Sequence, residues 1–400
     1  MTPRRNPTAC PPLRSWASAL VFASLAGCGG TAPPPAPADD APARPRSADR
    51  ADDGPLPKVD VHLHVALDSV AIADAILREQ HIVIGLNASG GAPGYGLEES
   101  MTVASATHGR LLPLCNLAFA GVGRPGWAEQ TVASLRECKR LGGKGLKVAK
   151  YVGLGLSAPD GRLVPADDPA LDIVFETAGT LGLPVLIHIG DPKAFFDPPT
   201  PTNERFEELS VHPGWSFHGI APSGQPWPSW SELLDQFERR VARHPRTIFV
   251  GAHFGNAAEE PERVARMLDR HANLVIDTAA RVPEFGRHPA DAMRRFFERY
   301  QDRILFGSDL GVSREGLVLG SGGRTPGTRE EARTFFARHW AYFETATRRM
   351  EHPTPIQGRW TVDGIGLSRP ILAKVYAGNA ARVFSLALPD RPPESQMKRP

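Results

Sequence analysis

Lys58-Val59-Asp60-Val61-His62-Leu63-His64 is a β-branched apolar run broken at alternate positions by polar residues, and it opens a series of eight such runs. The others are Ile82–Asn87, Leu111–Asn116, Gly145–Lys150, Leu183–His188, Thr247–His253, Asn273–Asp277 and Arg303–Ser308. Amphipathic stretches lie between them: Asp68–Gln80, Trp127–Leu141, Pro169–Leu181, Trp230–His244, Glu259–His271 and Pro289–Tyr300. Strand then helix, repeated, implies parallel pairing through crossover helices. Eight units predict an α/β protein of the closed (β/α)8 TIM-barrel type, which takes about 250 residues plus insertions. No glycine-rich dinucleotide fingerprint follows the first run, which argues against a doubly wound sheet.

The surplus length falls after strands five and eight. Ile189–Ser229 carries eight prolines and the aromatics Phe195, Phe196, Phe206, Trp215, Phe217 and Trp227. A connection that long is functional or disordered, and its aromatic content favours an ordered lid. Leu310–Pro370 is the second insertion, with a helix expected around Glu330–Met350. Both belong to the C-terminal face of the barrel, where this fold places its chemistry.

Working back towards the N-terminus, the chain changes character. Arg4, Arg5 and Arg14 precede a short apolar stretch, Ser15–Ala26, with no acid before Asp39. That pattern is a signal peptide, too short to span a membrane as a helix. Its end, Leu25-Ala26-Gly27-Cys28, resembles the lipobox of bacterial lipoproteins. The resemblance implies removal of residues 1–27, lipidation of Cys28, and a protein tethered in the cell envelope facing the periplasm. The alternative is an ordinary secretory signal with a chance cysteine. Residues 28–57 are Pro-, Ala- and Asp-rich and form an extended tether, because they cannot bury enough apolar surface to offset their ordering entropy. The barrel domain is expected over residues 58–390.

With 46 basic and 44 acidic side chains the whole chain is +2, and losing three arginines with the leader turns this to −1. So small and evenly spread a charge excludes a nucleic-acid partner. Hydrophobic content is 41%, enough for a large core, and membrane contact is expected through the lipid alone. Four cysteines do not make a disulfide scaffold. Once Cys10 leaves and Cys28 carries the anchor, Cys115 and Cys138 remain. Free buried thiols are the favoured reading, an oxidised pair the other.

The chemistry is written at the strand ends. His62 and His64 are two apart, so on a strand they share a side about 7 Å apart and can reach one metal ion. The bland alternative is a pair of hydrogen-bonded barrel histidines. It weakens because other apolar runs also end in donors: Leu186-Ile187 leads into His188, Val250-Gly251-Ala252 into His253, and Phe306-Gly307-Ser308 into Asp309. In a barrel these five side chains converge on one mouth. Lys147 and Lys150 have odd spacing and so point to opposite faces; Lys147 is the inward candidate, for substrate anion binding, and a barrel-exterior lysine is the alternative. Glu204, Arg205, Trp215 and Arg281 are further substrate-contact candidates.

Asp60-Val61-His62-Leu63-His64, His188, His253, Asp309 and the closing Ala377-Gly378-Asn379-Ala380-Ala381-Arg382-Val383-Phe384 resemble the amidohydrolase superfamily, and within it the amidohydrolase-related branch of metal-dependent hydrolases, decarboxylases and hydratases. The resemblance spans roughly Lys58 to Leu388. It implies that His62, His64, His188 and Asp309 bind a divalent metal, usually zinc. His253 is then an acid/base residue, or a ligand if a second metal is bound. Some members carry a carboxylated lysine on the fourth strand, which keeps Lys147 and Lys150 in view. Asn379 and Arg382 read as a helix N-cap and a barrel-closing contact. Three neutral nitrogens and a carboxylate with an open position form the catalytic pattern, in which bound water is acidified and Asp309 accepts its proton. The leading expectation is a hydrolase of an amide, ester or lactone in a small molecule. The alternatives are a lyase acting on a small carboxylate and a tethered binding protein without turnover. Assembly into a homo-oligomer stays open.

Overall fold

The structure, a computed structural model, describes residues 54–190 and 192–389. The expected signal peptide, Cys28 and most of the 28–57 tether lie outside the described residues. Within them, no helix is long and apolar enough to cross a membrane.

The eight expected strands form: β1 (Lys58–Val65), β2 (Ile82–Asn87), β3 (Leu111–Pro113), β4 (Leu146–Val148), β5 (Val185–Ile187), β6 (Phe249–Gly251), β7 (Leu274–Asp277) and β8 (Ile304–Leu305). β1–β2–β3 pair in parallel, as do β4 through β8 in order. Two seams complete the circle. Cys115 bridges to Leu146 beside β3 and β4, and the Val61 amide donates to the Phe306 carbonyl between β1 and β8 (3.1 Å). The crossover helices are α1 (Val70–Glu79), α2 (Leu97–Ala106), α3 (Trp127–Leu141), α4 (Asp172–Leu181), α5 (Trp230–Arg243), α6 (Pro261–Arg270) and α7 (Ala290–Arg299). In α5, Leu233, Leu234, Phe237 and Val241 recur at helical spacing and are fully buried, while the Ser229 hydroxyl accepts from the Glu232 amide at the start.

Alternation along the short strands sorts their side chains into two cores. Val185, Ile187, Phe249, Leu274 and Ile276 pack outward against the helices. Leu186, Val250, Val275 and Leu305 fill the barrel interior, plugged at one end by Val383 and Phe384. β1 is the exception. Its register against β2 slips, with Asp60 opposite Gly85 but Leu63 opposite Asn87, so β1 holds one extra residue. Val59 and Val61 pack in the inner core, whereas Leu63 and Val65 pack in the outer one. The bulge reverses the alternation and aims the side chains beyond it into the mouth. One Asp60 oxygen accepts from the His62 and Ser308 amides (3.0 and 3.1 Å), which pins the slip.

Three expectations need correction. Cys115 and Cys138 are joined by a disulfide, Cα–Cα 6.3 Å, and are not free thiols. Its packing leaves no room at Gly143, where a Cβ would stand 2.4 Å from the Cys115 sulfur and 2.7 Å from that of Cys138. Asn379 is not an N-cap: the chain is already helical before it, from Arg369. Its amide instead donates to the Gln301 and Ile304 carbonyls (2.7 Å each), and Arg382 donates to Asp302 O, so both close the barrel. Finally, Lys147 and Lys150 do not point to opposite faces. The strand ends at Val148, the backbone turns helical at Lys150, and both line the mouth.

The two insertions cover the mouth. The first contains the short helix Phe206–Val211. The second begins with a hairpin, β9 (Leu310–Ser313) and β10 (Gly316–Leu319), in which β9 runs parallel to β1. It continues through α8 (Arg329–Glu344), opened by a capping box between Thr328 and Glu331.

Candidate active site

A cavity of about 390 Å³ opens at the C-terminal ends of the strands, and His62, His64, Lys147, His188, His253 and Asp309 all line it. His62 is almost fully buried. Its Nδ1–H donates to Asp277 at 2.9 Å, which leaves the Nε2 lone pair facing the cavity. His64 bonds Ser89 through Nδ1 (2.7 Å), again freeing Nε2. The two Nε2 atoms lie 3.6 and 3.5 Å from one oxygen of Asp309. Donors about 2.0–2.1 Å from a tetrahedral ion stand roughly 3.3 Å apart, so these three atoms fit a divalent metal. They form the one such cluster among the described residues.

His188 reaches the same cavity but not that cluster. Its ring lies 4.3 Å from the ring of His253, which in turn lies 4.9 Å from that of His62. His253 stands on left-handed backbone (φ 55°), as does Asp309 (φ 62°). Non-glycine residues rarely adopt it, and such strain concentrates at functional sites. The His253 amide donates to Asp277 at 2.7 Å and its Nδ1–H to the Ala279 carbonyl at 2.9 Å. Its Nε2 therefore carries a lone pair. Gly307 lets β8 approach: a Cβ there would lie 3.2 Å from the Cβ of His62.

Burial sets most of the electrostatics. It holds the His62 imidazole well below its ordinary range, helped by Lys147, and does the same for His253, helped by His188. Both shifts favour the neutral ring, the form that metal ligation or proton acceptance requires. Burial pushes the Lys147 ammonium down to about 8, and its Nζ donates to His62 Nε2 at 2.8 Å, a hydrogen bond that metal ligation through the same lone pair would replace. Burial alone would raise the Asp309 carboxyl, but His62, His64 and Lys147 outweigh it and hold that group below its ordinary value. Asp277 is pushed up to about 6 and Asp60 to about 7, both by burial.

Trp215 and Arg281 line the cavity as expected, with Phe195, Glu208 and Gln357. Lys150 lies over the Trp215 ring, 5.1 Å from its centroid. The first insertion's aromatics do both things open to them: Phe195 and Trp215 face the cavity, while Phe196, Phe217 and Trp227 pack on one another. Glu204 lies elsewhere, paired with Arg287. Arg205 is no substrate contact. It is fully buried and ion-paired with Glu208 and Glu284. Asp277 is the residue the strand reading passed over. It ends the apolar run Leu274-Val275-Ile276 just as the histidines end theirs, and it grips both His62 and His253.

The family model described as amidohydrolase matches residues 113–386, more than half of the chain. The chain belongs to the amidohydrolase family. Amidohydrolases are metal-dependent enzymes acting on small molecules, and the His62–His64–Asp309 cluster of this one lies largely ahead of the matched segment, on β1, with Asp309 inside it. No curated protein matches this amidohydrolase significantly. Among solved structures it is similar to 2,6-dihydroxybenzoate decarboxylase in complex with 2,6-dihydroxybenzoate (14% identity, 83% of this chain, 100% of that one, TM-score 0.44). It is likewise similar to 4-oxalomesaconate hydratase from Rhodopseudomonas palustris (14%, 82% and 95%, TM-score 0.45). A third is a protein described as a probable 2-pyrone-4,6-dicarboxylic acid hydrolase from Acinetobacter baumannii (12%, 82% and 99%, TM-score 0.44).

Proposed function

We propose that this amidohydrolase hydrolyses an amide, ester or lactone carbonyl in a small molecule, using one divalent ion, zinc by preference, at His62, His64 and Asp309, with His188 as the fourth ligand. The convergence of His62 Nε2, His64 Nε2 and Asp309 Oδ1 carries this reading. Imidazole and carboxylate donors suit zinc. Such an ion, when bound, would act as a Lewis acid and lower the pKa of water from about 15.7 towards 7. The chain's own groups supply the rest. Asp309, the acceptor expected from the sequence, is held below its ordinary value beside His62 and His64, so His253, held by Asp277 and Ala279, instead offers Nε2 to accept the proton released when the carbonyl is attacked, and then returns it to the leaving nitrogen or oxygen. This orders its roles: it accepts before it donates. Lys147 places a cation beside His62, where negative charge on the carbonyl oxygen is stabilised. The two insertions wall the cavity from bulk water.

A second reading, decarboxylation or hydration of a small carboxylate, is favoured by the cationic wall of Lys147 and Arg281. Carbon dioxide release or a hydrated product from a substrate panel would establish it in place of hydrolysis.

The metal assignment is tested with variants. His62→Ala and Asp309→Ala should each lose bound metal and at least 10³-fold of turnover, with the circular dichroism of the barrel unchanged. His253→Ala should lose 10²–10⁴-fold of turnover, the span of general acid–base catalysis, and keep its metal. Equal metal loss in His253→Ala would contradict the one-metal assignment.

A further inference from the structure

Gln357 ends the short helical turn Pro355–Gln357 of the second insertion and lines the cavity, yet it is only 1% exposed. Its surroundings are fixed. The Gln357 amide donates to the Thr354 carbonyl at 3.0 Å, and the Thr354 hydroxyl donates to the Leu319 carbonyl at 3.2 Å, which ties the turn to the end of β10. Packing there is close: a Cβ on Gly320, whose φ is 75°, would stand 2.9 Å from the Thr354 hydroxyl. The side-chain nitrogen of Gln357 donates to the Gly320 carbonyl at 3.4 Å, a long bond that nonetheless settles which end of the carboxamide is which. That leaves Oε1, which meets no donor among the described residues. A carbonyl oxygen withdrawn from water without a donor is costly, and the great majority of such atoms in folded proteins have a partner. Glu208, the carboxylate that the insertions bring to this cavity, is already engaged by Arg205 and Ser321.

We propose that Gln357 is a specificity-determining residue whose Oε1 accepts a hydrogen bond from a hydroxyl or N–H group of the substrate, so that the cavity selects small molecules bringing such a donor over isosteres that lack it. The inference rests on reading this cavity as the substrate site and adds what its second-insertion wall recognises. A carboxamide oxygen has two lone pairs and no proton, so it takes a donor and offers nothing to a carboxylate. Discrimination of this kind is sharp, because a molecule without the donor leaves a buried acceptor unpaired. Phe195 and Trp215, from the first insertion, give the remainder of the molecule an apolar surface on which to rest.

Benzyl alcohol and anisole test this without any turnover. They are isomers of nearly one size, and both carry an oxygen that accepts, but only the alcohol carries an O–H that donates. Their affinities for the full-length chain would be measured by ligand-observed NMR titration, first with metal stripped by a chelator and then after zinc loading. The metal-free protein should already bind benzyl alcohol about tenfold more tightly than anisole, the order of one hydrogen bond to an otherwise unpaired acceptor. Gln357→Met keeps the length of the side chain and removes the acceptor; it should bring the two affinities within twofold by weakening the alcohol alone. Gln357→Leu should behave in the same way, and Gln357→Glu, which still accepts, should retain the preference. The assignment is overturned by equal binding of the two probes, by binding of neither, by a preference seen only after zinc loading, or by one that survives in Gln357→Met and Gln357→Leu. Anisole affinity that falls together with that of the alcohol in both variants would make the residue a structural support and overturn it too. Absence of turnover on every substrate, with the Gln357-dependent preference intact, would count against the hydrolase reading alone.

Discussion

The strand ends of the barrel and the two insertions above them line one cavity by different means. At the strand ends, position comes from backbone periodicity: Lys147 follows Leu146, His188 follows Ile187 and Asp277 follows Ile276, each on the inner side of its strand. In the insertions, strands are short and few, and side-chain pairs take over. Arg205 ties Phe206–Val211 to Glu284 beyond β7; Glu208 accepts from Ser321, and His212 donates to the Gly322 carbonyl at 2.8 Å, linking one insertion to the other. A centre held by the main chain can be rigid while its walls are rebuilt one contact at a time. The groups proposed to react belong to the first kind of construction, and the cavity's outer walls mostly to the second.

The largest effect expected from breaking this division is in the insertion. Arg205→Met leaves Glu208 and Glu284 buried without their cation, which should cost about 3–5 kcal/mol of unfolding free energy in denaturant titration. Metal content of the folded protein should not change. A cost under about 1 kcal/mol, or metal lost alongside, would show that the two regions are not separable.

Next is acid sensitivity. His339, on α8, is held by burial down to about 4, and burial sets His352 near the same value. The unfolded chain binds its proton near 6.5 while the folded ring resists until about 4, so the stability is complete above pH 6.5 and is lost as pH falls towards 4. For one histidine that amounts to about 3 kcal/mol. Melting temperature against pH should be flatter for His339→Gln over this window; parallel curves would place the titration elsewhere.

The smallest effect tests the barrel side. Asp277→Asn keeps an acceptor for His62 but removes the charge, and zinc affinity, read by competition with a chromogenic chelator, should fall 10–100-fold. Stability in the metal-free state should also fall, by about 1–3 kcal/mol, because the amide nitrogen faces donors that the carboxylate had satisfied. An unchanged affinity would mean that strand geometry alone orients His62.

Much of the barrel was legible because its strands are buried on both faces and read as apolar runs punctuated by donors. β2 and α3 appear with the limits expected, Ile82–Asn87 and Trp127–Leu141. The five candidate residues do meet in one cavity, although only His62, His64 and Asp309 converge tightly. What stayed hidden has physical reasons. Asp277 hid because its partners, His62 and His253, are remote in sequence. Lys150 defeats the alternation rule because the strand ends at Val148 and the backbone turns before it. The disulfide is hard to read because two cysteines 23 residues apart have no local signature, even in a chain expected to leave the cytoplasm. Arg205 reads as a substrate contact because a basic residue in a loop normally lies in water, and nothing nearby in sequence names Glu284.

The extra residue in β1 has a consequence for how such a scaffold can carry a reactive centre at all. A perfectly regular ladder would dedicate every second side chain, from floor to rim, to filling the lumen. By losing step between Asp60 and Leu63, the chain keeps valines where the interior must be solid and imidazoles where it must be open. Solidity and reactivity thus share a single stretch of eight residues without competing for the same positions.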